Sequence, residues 1–298
     1  MIFIPPQAAV ILDSNIVEVE AGITVYNSAT TYNTYDLVQH NGEVFESLSD
    51  ANLDNEPVKS SLSLKWNYKR KVNYYKLLDD KMNTATENED LITYTFSVSD
   101  IDTVCFFGLA SASVKIELLS FNDDLLFEKE IETYNRKVSD WSRWTVAKPT
   151  YKTIAFFRDI PYIYEGKLKI SIYSQGSTAK CAHLVFGESV DMGITLVGTK
   201  PTSAIQNIIS KEKNEDGTVT TSNSMTYKQI TASILLDTNS VSEVQNLLEI
   251  YTTTPMLFIA DEREGGIDSL ICFGYYKDFD MPIGLNKTEY SLEIEGII

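Results

Sequence analysis

The stretch Glu289-Tyr-Ser-Leu-Glu-Ile-Glu-Gly-Ile-Ile298 decides how the rest of the chain is read. Tyr290, Leu292 and Ile294 alternate with Glu289, Ser291, Glu293 and Glu295, so an extended backbone puts the apolar side chains on one face and the polar ones on the other. That is the signature of a strand in a sheet with one dry face and one wet face. Upstream, Ser240-Val-Ser-Glu243 has the form of a capping box, in which serine and glutamate side chains satisfy the free amides of a helix start. Val241, Val244, Leu247, Leu248 and Tyr251 then recur at helical spacing, and Pro255 marks where the helix must have stopped. The last quarter is expected to be an antiparallel sheet carrying one helix.

Composition narrows the remaining choices. A chain of 298 residues has room for two or three domains and a sizeable core. It carries 25 basic against 42 acidic residues, a net charge of -17, which argues against gripping nucleic-acid phosphates or an anionic membrane. The local exception is the basic run from Lys65 to Lys71. Cys105, Cys181 and Cys272 each lie in an apolar, strand-like run and are expected to be buried free thiols, with no metal-ligand spacing among them. Met1-Ile-Phe-Ile-Pro-Pro6 lacks a charged leader region, and the longest apolar run, Val104 to Val114, is too short to cross a bilayer. A protein without membrane insertion is the expectation.

In chain order, residues 1–25 are predicted to be an extended arm of the kind that often lies on a neighbour, because Pro5-Pro6 and the run from Val10 to Val19 both favour extended backbone. The unit 26–72 is predicted to be a small β module. Its Asn41-Gly42 pair between two short alternating runs is a strong hairpin signal. The order Tyr32, Tyr35-Asp-Leu-Val38, Asn41-Gly42, Val44-Phe45, Asn55-Glu-Pro57 and Trp66 resembles the small chitin-binding type of carbohydrate-binding module. The resemblance implies that Tyr32, Tyr35 and Trp66 stack on a sugar. The other reading is that these rings fill the core of a domain too small to build one otherwise.

Residues 73–193 contain seven short strand-like runs separated by turn residues with no helical pattern between them, which indicates a β-sandwich. The layout is similar to galactose-binding-like jelly rolls. Trp141 and Trp144, on either side of Arg143, are a second candidate glycan platform, or else a plug at one end of the sandwich. The pairs Asp79-Asp80 and Asp123-Asp124 are of a type that can hold calcium, but solvated turns explain them as well, and no metal or cofactor is assigned. Residues 194–298 complete the chain as an α+β assembly module. Within it, Asp216-Gly217 predicts a tight turn in a hairpin arm over 205–222. The expected fold is mainly β.

Catalysis finds little support in the residue types. Two histidines, His40 and His183, leave few bases for a serine or cysteine nucleophile, and no nucleophile elbow, phosphate loop or zinc-protease motif occurs. His183, within an apolar strand, is read as a core residue, and no enzymatic function is expected.

Several stretches together resemble a group of tailed-bacteriophage virion proteins: Asn73-Tyr-Tyr-Lys-Leu-Leu-Asp79, Phe107 to Val114, Leu184-Val-Phe-Gly187, Asp191-Met-Gly193, Gln245 to Tyr251 with Thr254-Pro255, Gly274-Tyr-Tyr-Lys-Asp-Phe279, and Leu292-Glu-Ile-Glu-Gly296. The resemblance implies a structural component of a phage tail or baseplate, assembled in the bacterial host cytoplasm, with other tail proteins and a homo-oligomeric ring as partners. It brings no catalytic residues. The assembly end would be the C-terminal module, with Asp216, Gly217, Val241, Leu248, Tyr251, Tyr290, Leu292 and Ile294 as its expected residues. A host-receptor glycan contact or a capsid decoration role is the alternative, and a polysaccharide-degrading enzyme the weakest one.

Overall fold

In the computed structural model the chain is described over residues 1–298 except 61–62, 136–149, 197, 199–200, 214–217, 262, 264–266, 281, 283 and 298, with backbone only at 208–213, 219–225, 278 and 280. The architecture is mainly β, with one α-helix, Val241–Ile250, among the described residues.

Three sheets and the helix stack as four layers. The outermost is a five-stranded antiparallel sheet in the order Leu125–Glu132, Ser113–Ser120, Gly166–Cys181, Thr86–Val98 and Val10–Ser14. Its inward residues, among them Ile92, Tyr94, Phe96, Ile116, Leu168 and Ile170, meet Val104, Phe106, Phe157, Leu184 and Phe186 from a three-stranded sheet, Ile154–Phe157, Thr103–Phe107 and His183–Gly187. This is the expected sandwich. Strand residues alternate sides, so Cys105, Phe107 and Val185 point the other way, onto Ile2, Ile4, Leu257, Ile259, Ile271 and Phe273 of the C-terminal sheet. The middle sheet is therefore buried on both faces. Each of its fully buried large apolar side chains contributes about 1.5–3 kcal/mol.

The C-terminal sheet contains Val190–Asp191, Ile2–Ile4, Met256–Ile259, Ile271–Asp280, Lys287–Gly296, Val219–Asp237 and Ile194–Thr195 in that order, with Thr202–Lys213 also paired to Val219–Asp237. On its far face Phe3, Phe258, Ile230, Ile234, Tyr290, Leu292 and Ile294 pack with Val241, Val244 and Leu248 of the helix. The closing strand alternates as its sequence requires: Tyr290, Leu292 and Ile294 are buried, while Glu289 and Ser291 are exposed.

Two local features differ from the sequence reading. The N-terminal stretch is extended, but it belongs to the chain's own body: Ile2–Ile4 is sandwiched between Val190–Asp191 and Met256–Ile259, and Val10–Ser14 pairs with Thr86–Val98. Ile2, Phe3 and Ile4 fill a buried slot within the molecule, whereas Val10 and Leu12 of the second strand stay exposed. The helix also starts differently. Ser240 already has helical dihedrals (φ -90°, ψ -2°) and makes no capping bond. Asp237 instead accepts from the Asn239 amide at 3.1 Å, opening a 3-10 turn, Thr238–Ser240, that runs into the helix.

The small module is a separate four-stranded sheet, Thr24–Val25, Leu37–His40, Glu43–Ser47 and Trp66–Lys71. Asn41 (φ 49°) and Gly42 (φ 75°) form its hairpin turn. Gly42 is required twice over, because a Cβ there would meet the Tyr75 ring at 2.7 Å. Glu20 anchors the module: its carboxylate takes two bonds from the Arg70 guanidinium (2.7 and 2.6 Å) and one from the Asn73 amide (2.5 Å). That pairing holds the Glu20 carboxyl below its ordinary range.

Candidate functional site

The rings of the small module turn inward. Trp66 is 2% exposed and Tyr32 5% exposed, and with Val38 and Phe45 they are the buried core of this unit. Trp66 stands edge-on to Tyr32 at 5.4 Å and to Tyr26 at 6.1 Å, and its indole N–H donates to the Asn55 carbonyl at 2.7 Å. The Tyr32 hydroxyl accepts from the Asn27 amide at 2.8 Å. Neither ring has a free face for a sugar, because a sheet this small has no other large side chains with which to exclude water. Of the three rings only Tyr35 is presented to solvent, at 77% exposure on a left-handed backbone (φ 73°). The neighbouring basic run is occupied by the chain itself: Lys69 pairs with Glu46 at 2.7 Å, and Lys71 donates to the Leu78 carbonyl at 3.1 Å. Trp141 and Trp144 lie outside the described residues.

The proposed assembly residues divide in the same way. Val241, Leu248, Tyr290, Leu292 and Ile294 are buried between sheet and helix, and Tyr251 is half-buried against them, so all six build the module instead of offering a docking face. Burial also pushes up the Tyr290 phenol, whose hydroxyl donates to the Met192 carbonyl at 2.7 Å. Asp216 and Gly217 lie outside the described residues. The strands that flank them do form the expected hairpin, from Thr202↔Thr231 to Lys213↔Val219. Pairing between Val219–Asp237 and the closing strand ends at Gln229↔Glu295. From Ile205↔Lys228 outward, the described residues pair as a ribbon of two strands alone. At about 3.3 Å per residue, the ten positions from Lys228 to Val219 reach roughly 30 Å beyond the sheet. Ile205, at its base, is 75% exposed, and Ile194 on the same sheet edge is 69% exposed.

A third surface was not legible as a site in the sequence. Connections at one end of the sandwich bring together Ser99–Asp102, Arg158–Glu165 and Glu188-Ser189. Hydrogen bonds staple them: the Asp100 amide to the Ile163 carbonyl (2.8 Å), the Ile160 amide to the Asp102 carbonyl (3.1 Å), and the Ser189 amide and hydroxyl to the Asp102 carboxylate (2.9 and 2.5 Å). Ile160 is buried and Ile163 packs on the sandwich core, whereas Tyr162 and Tyr164 are 72% and 77% exposed. A Cβ at Gly166 would strike Ile163 at 2.8 Å and the Leu119 carbonyl at 2.9 Å, which places the adjoining turn and its exposed Phe121 beside this loop. The Asp100 carboxylate beside the Tyr162 hydroxyl pushes that phenol up, with Glu188 and Tyr164 adding to the effect. Asp100 has positive φ (53°), and its Oδ1 is buried with no hydrogen-bond partner. The alternation in Ile160-Pro-Tyr-Ile-Tyr-Glu-Gly166, with aromatic residues on either side of one inward isoleucine, is the signal that could have revealed it.

The remaining polar groups are less suited to chemistry. A cleft of about 500 Å³ runs between the sandwich edge and the C-terminal sheet. Two ion pairs lie along it: Arg158 is 3.6 Å from Asp159, and Arg263 holds Asp261 in two bonds of 2.7 and 2.8 Å and lowers that carboxyl to about 2. His183 is 3% exposed, its ring tilted 37° against Phe273 with centroids 4.3 Å apart; neither ring nitrogen is hydrogen-bonded, and Asp80 Oδ1 lies 4.0 Å away. Burial lowers its pKa to about 4. All three cysteines are buried and unpaired, and burial pushes the Cys181 thiol up to about 12 and the Cys272 thiol up to about 11. The two aspartate pairs lie at opposite ends of the sandwich: Asp80 is beside His183, and Asp123 is held by Lys167 at 2.6 Å. Among the described residues no cluster of three or more His, Cys, Asp or Glu is arranged to hold a metal, and no helix is long and apolar enough to cross a membrane.

No family model, curated protein or solved structure matches this chain.

Proposed function

We propose that this chain is a non-catalytic structural subunit of a larger assembly, of the tailed-bacteriophage tail or baseplate kind, that docks through its C-terminal module and turns its other β modules outward. One observation carries the reading: the hairpin that leaves the C-terminal sheet continues as two strands after the sheet has ended. An isolated two-stranded ribbon is at best marginally stable in water. Pairing one edge of the ribbon with the opposite edge of the next copy's ribbon completes it, and that heterologous contact, repeated around an axis, closes into a ring. The four-layer body suits a scaffold, since the middle sheet locks the sandwich to the C-terminal sheet through a continuous apolar layer. The surplus of 42 acidic over 25 basic residues is compatible with a wall that repels nucleic acid rather than trapping it.

The test is the mass of the chain in solution. The intact protein is expected to form a closed oligomer by light scattering and native mass spectrometry. Replacing 207–226 by Asn-Gly, which rejoins Gln206 and Tyr227 across a tight turn, is expected to give a folded monomer. An intact chain that stays monomeric, or an oligomer indifferent to this excision, would remove the proposal.

A further inference from the structure

The stapled loops at the sandwich end present two rings to solvent that neither the core nor the ribbon uses. Burying a tyrosine contributes to the fold, and the sandwich has a large core in which to do so, yet Tyr162 and Tyr164 both stand outside it. Their backbone is not loose. Ile160 and Ile163 fix it from below, and the Asp100 and Asp102 bonds fix it from the side. Rings held on a rigid base lose little conformational freedom when something stacks on them.

We infer that Tyr162 and Tyr164, flanked by Asp100 and Glu188, form a binding face for a neutral saccharide. The flat face of a tyrosine matches the C–H face of a pyranose, and carboxylate oxygens accept bonds from vicinal hydroxyls. Glu188, exposed and near enough to act on the Tyr162 phenol, is an acceptor of this sort, while Asp100 braces the Tyr162 hydroxyl from below. Charge selects among saccharides. Asp100 and Glu188 lie near the Tyr162 ring, Lys167 at this end is held by Asp123, and the whole chain has a net charge of -17. Sialylated, uronic or phosphorylated glycans are repelled from such a rim, whereas neutral hexoses and N-acetylhexosamines are not. Phe121, on the adjoining turn, can extend the platform to a second sugar ring. This inference rests on the reading of the sandwich as an outward-facing module.

The intact chain is to be probed on an array holding neutral hexose, N-acetylhexosamine, sialylated and phosphorylated oligosaccharides. The best-bound neutral member is then titrated against Tyr162→Ala/Tyr164→Ala, Tyr162→Phe and Tyr35→Ala. Neutral members are expected to bind. Each lost ring should weaken binding about tenfold, so the double variant loses about a hundredfold, while Tyr162→Phe and Tyr35→Ala stay within a few-fold of the parent. A blank array, binding confined to anionic glycans, or a double variant that binds like the parent would each overturn the saccharide face. Native mass keeps the two proposals apart. A blank array with an intact oligomer removes only this face, and a monomer that still binds neutral glycans removes only the assembly.

Discussion

The small module and the sandwich use aromatic residues in opposite ways. In the small module Tyr32 and Trp66 are buried, because a four-stranded sheet with four fully buried core side chains has nothing else to fill its interior. In the sandwich the interior is filled by Tyr94, Phe96, Phe106, Phe157 and Phe186 among many aliphatic residues, and Tyr162 and Tyr164 are left in water on a braced loop. An aromatic residue's role depends on how much core its unit can build without it. A sugar-like ring pattern in a very small unit is first a folding requirement; the same residue type outside a well-filled core is available for recognition.

That contrast can be broken by substitution. Trp66→Ala should have the largest effect, costing about 3–5 kcal/mol and melting the small module before the body, as read by thermal unfolding with two transitions; a variant that melts like the parent would mean the ring is not core. The next effect concerns a ring buried between layers. His183 has a folded pKa of about 4 against an ordinary 6.5. Between these values the unfolded chain binds the extra proton, so stability is present above about pH 6.5 and falls as the pH drops toward 4. The full loss is roughly 3 kcal/mol. Denaturant melts of the parent and His183→Phe across that window should differ in slope, the variant being flatter because it lacks the imidazole that folding forces to stay neutral. Parallel slopes would show that His183 does not stay neutral in the fold. Smallest of all, Tyr162→Ala/Tyr164→Ala should shift stability by less than about 0.5 kcal/mol, since both rings are solvent-exposed. A larger loss would make them structural and erase the contrast.

What the sequence showed depended on how many faces each element buries. The closing strand was legible because only one of its faces is dry, and the helix stripe was legible for the same reason. Thr103–Phe107 and His183–Gly187 could be recognised as strands, but their place as a middle layer could not, since burial on both faces erases the alternation that would point to either neighbour. The slot for Ile2–Ile4 was invisible because its partners at Leu257, Phe258 and Ile259 are more than 250 positions away. Local chemistry misled once: Ser240 and Glu243 have the spacing of a capping box, yet Asp237 opens an earlier turn and removes the need for it. Tyr162 and Tyr164 went unread because exposure is a tertiary property, and a loop of alternating apolar residues looks like a strand until its neighbours are known.

Beyond the rings, the central claim is that the ribbon is an unfinished element which another copy completes. Amide hydrogen exchange across 205–228, followed as the protein is diluted, tests it directly. These amides are expected to be protected at high concentration and to lose protection on dilution, while those of Thr103–Phe107 in the middle sheet stay protected throughout. Ribbon protection that is equally strong at every concentration would contradict it.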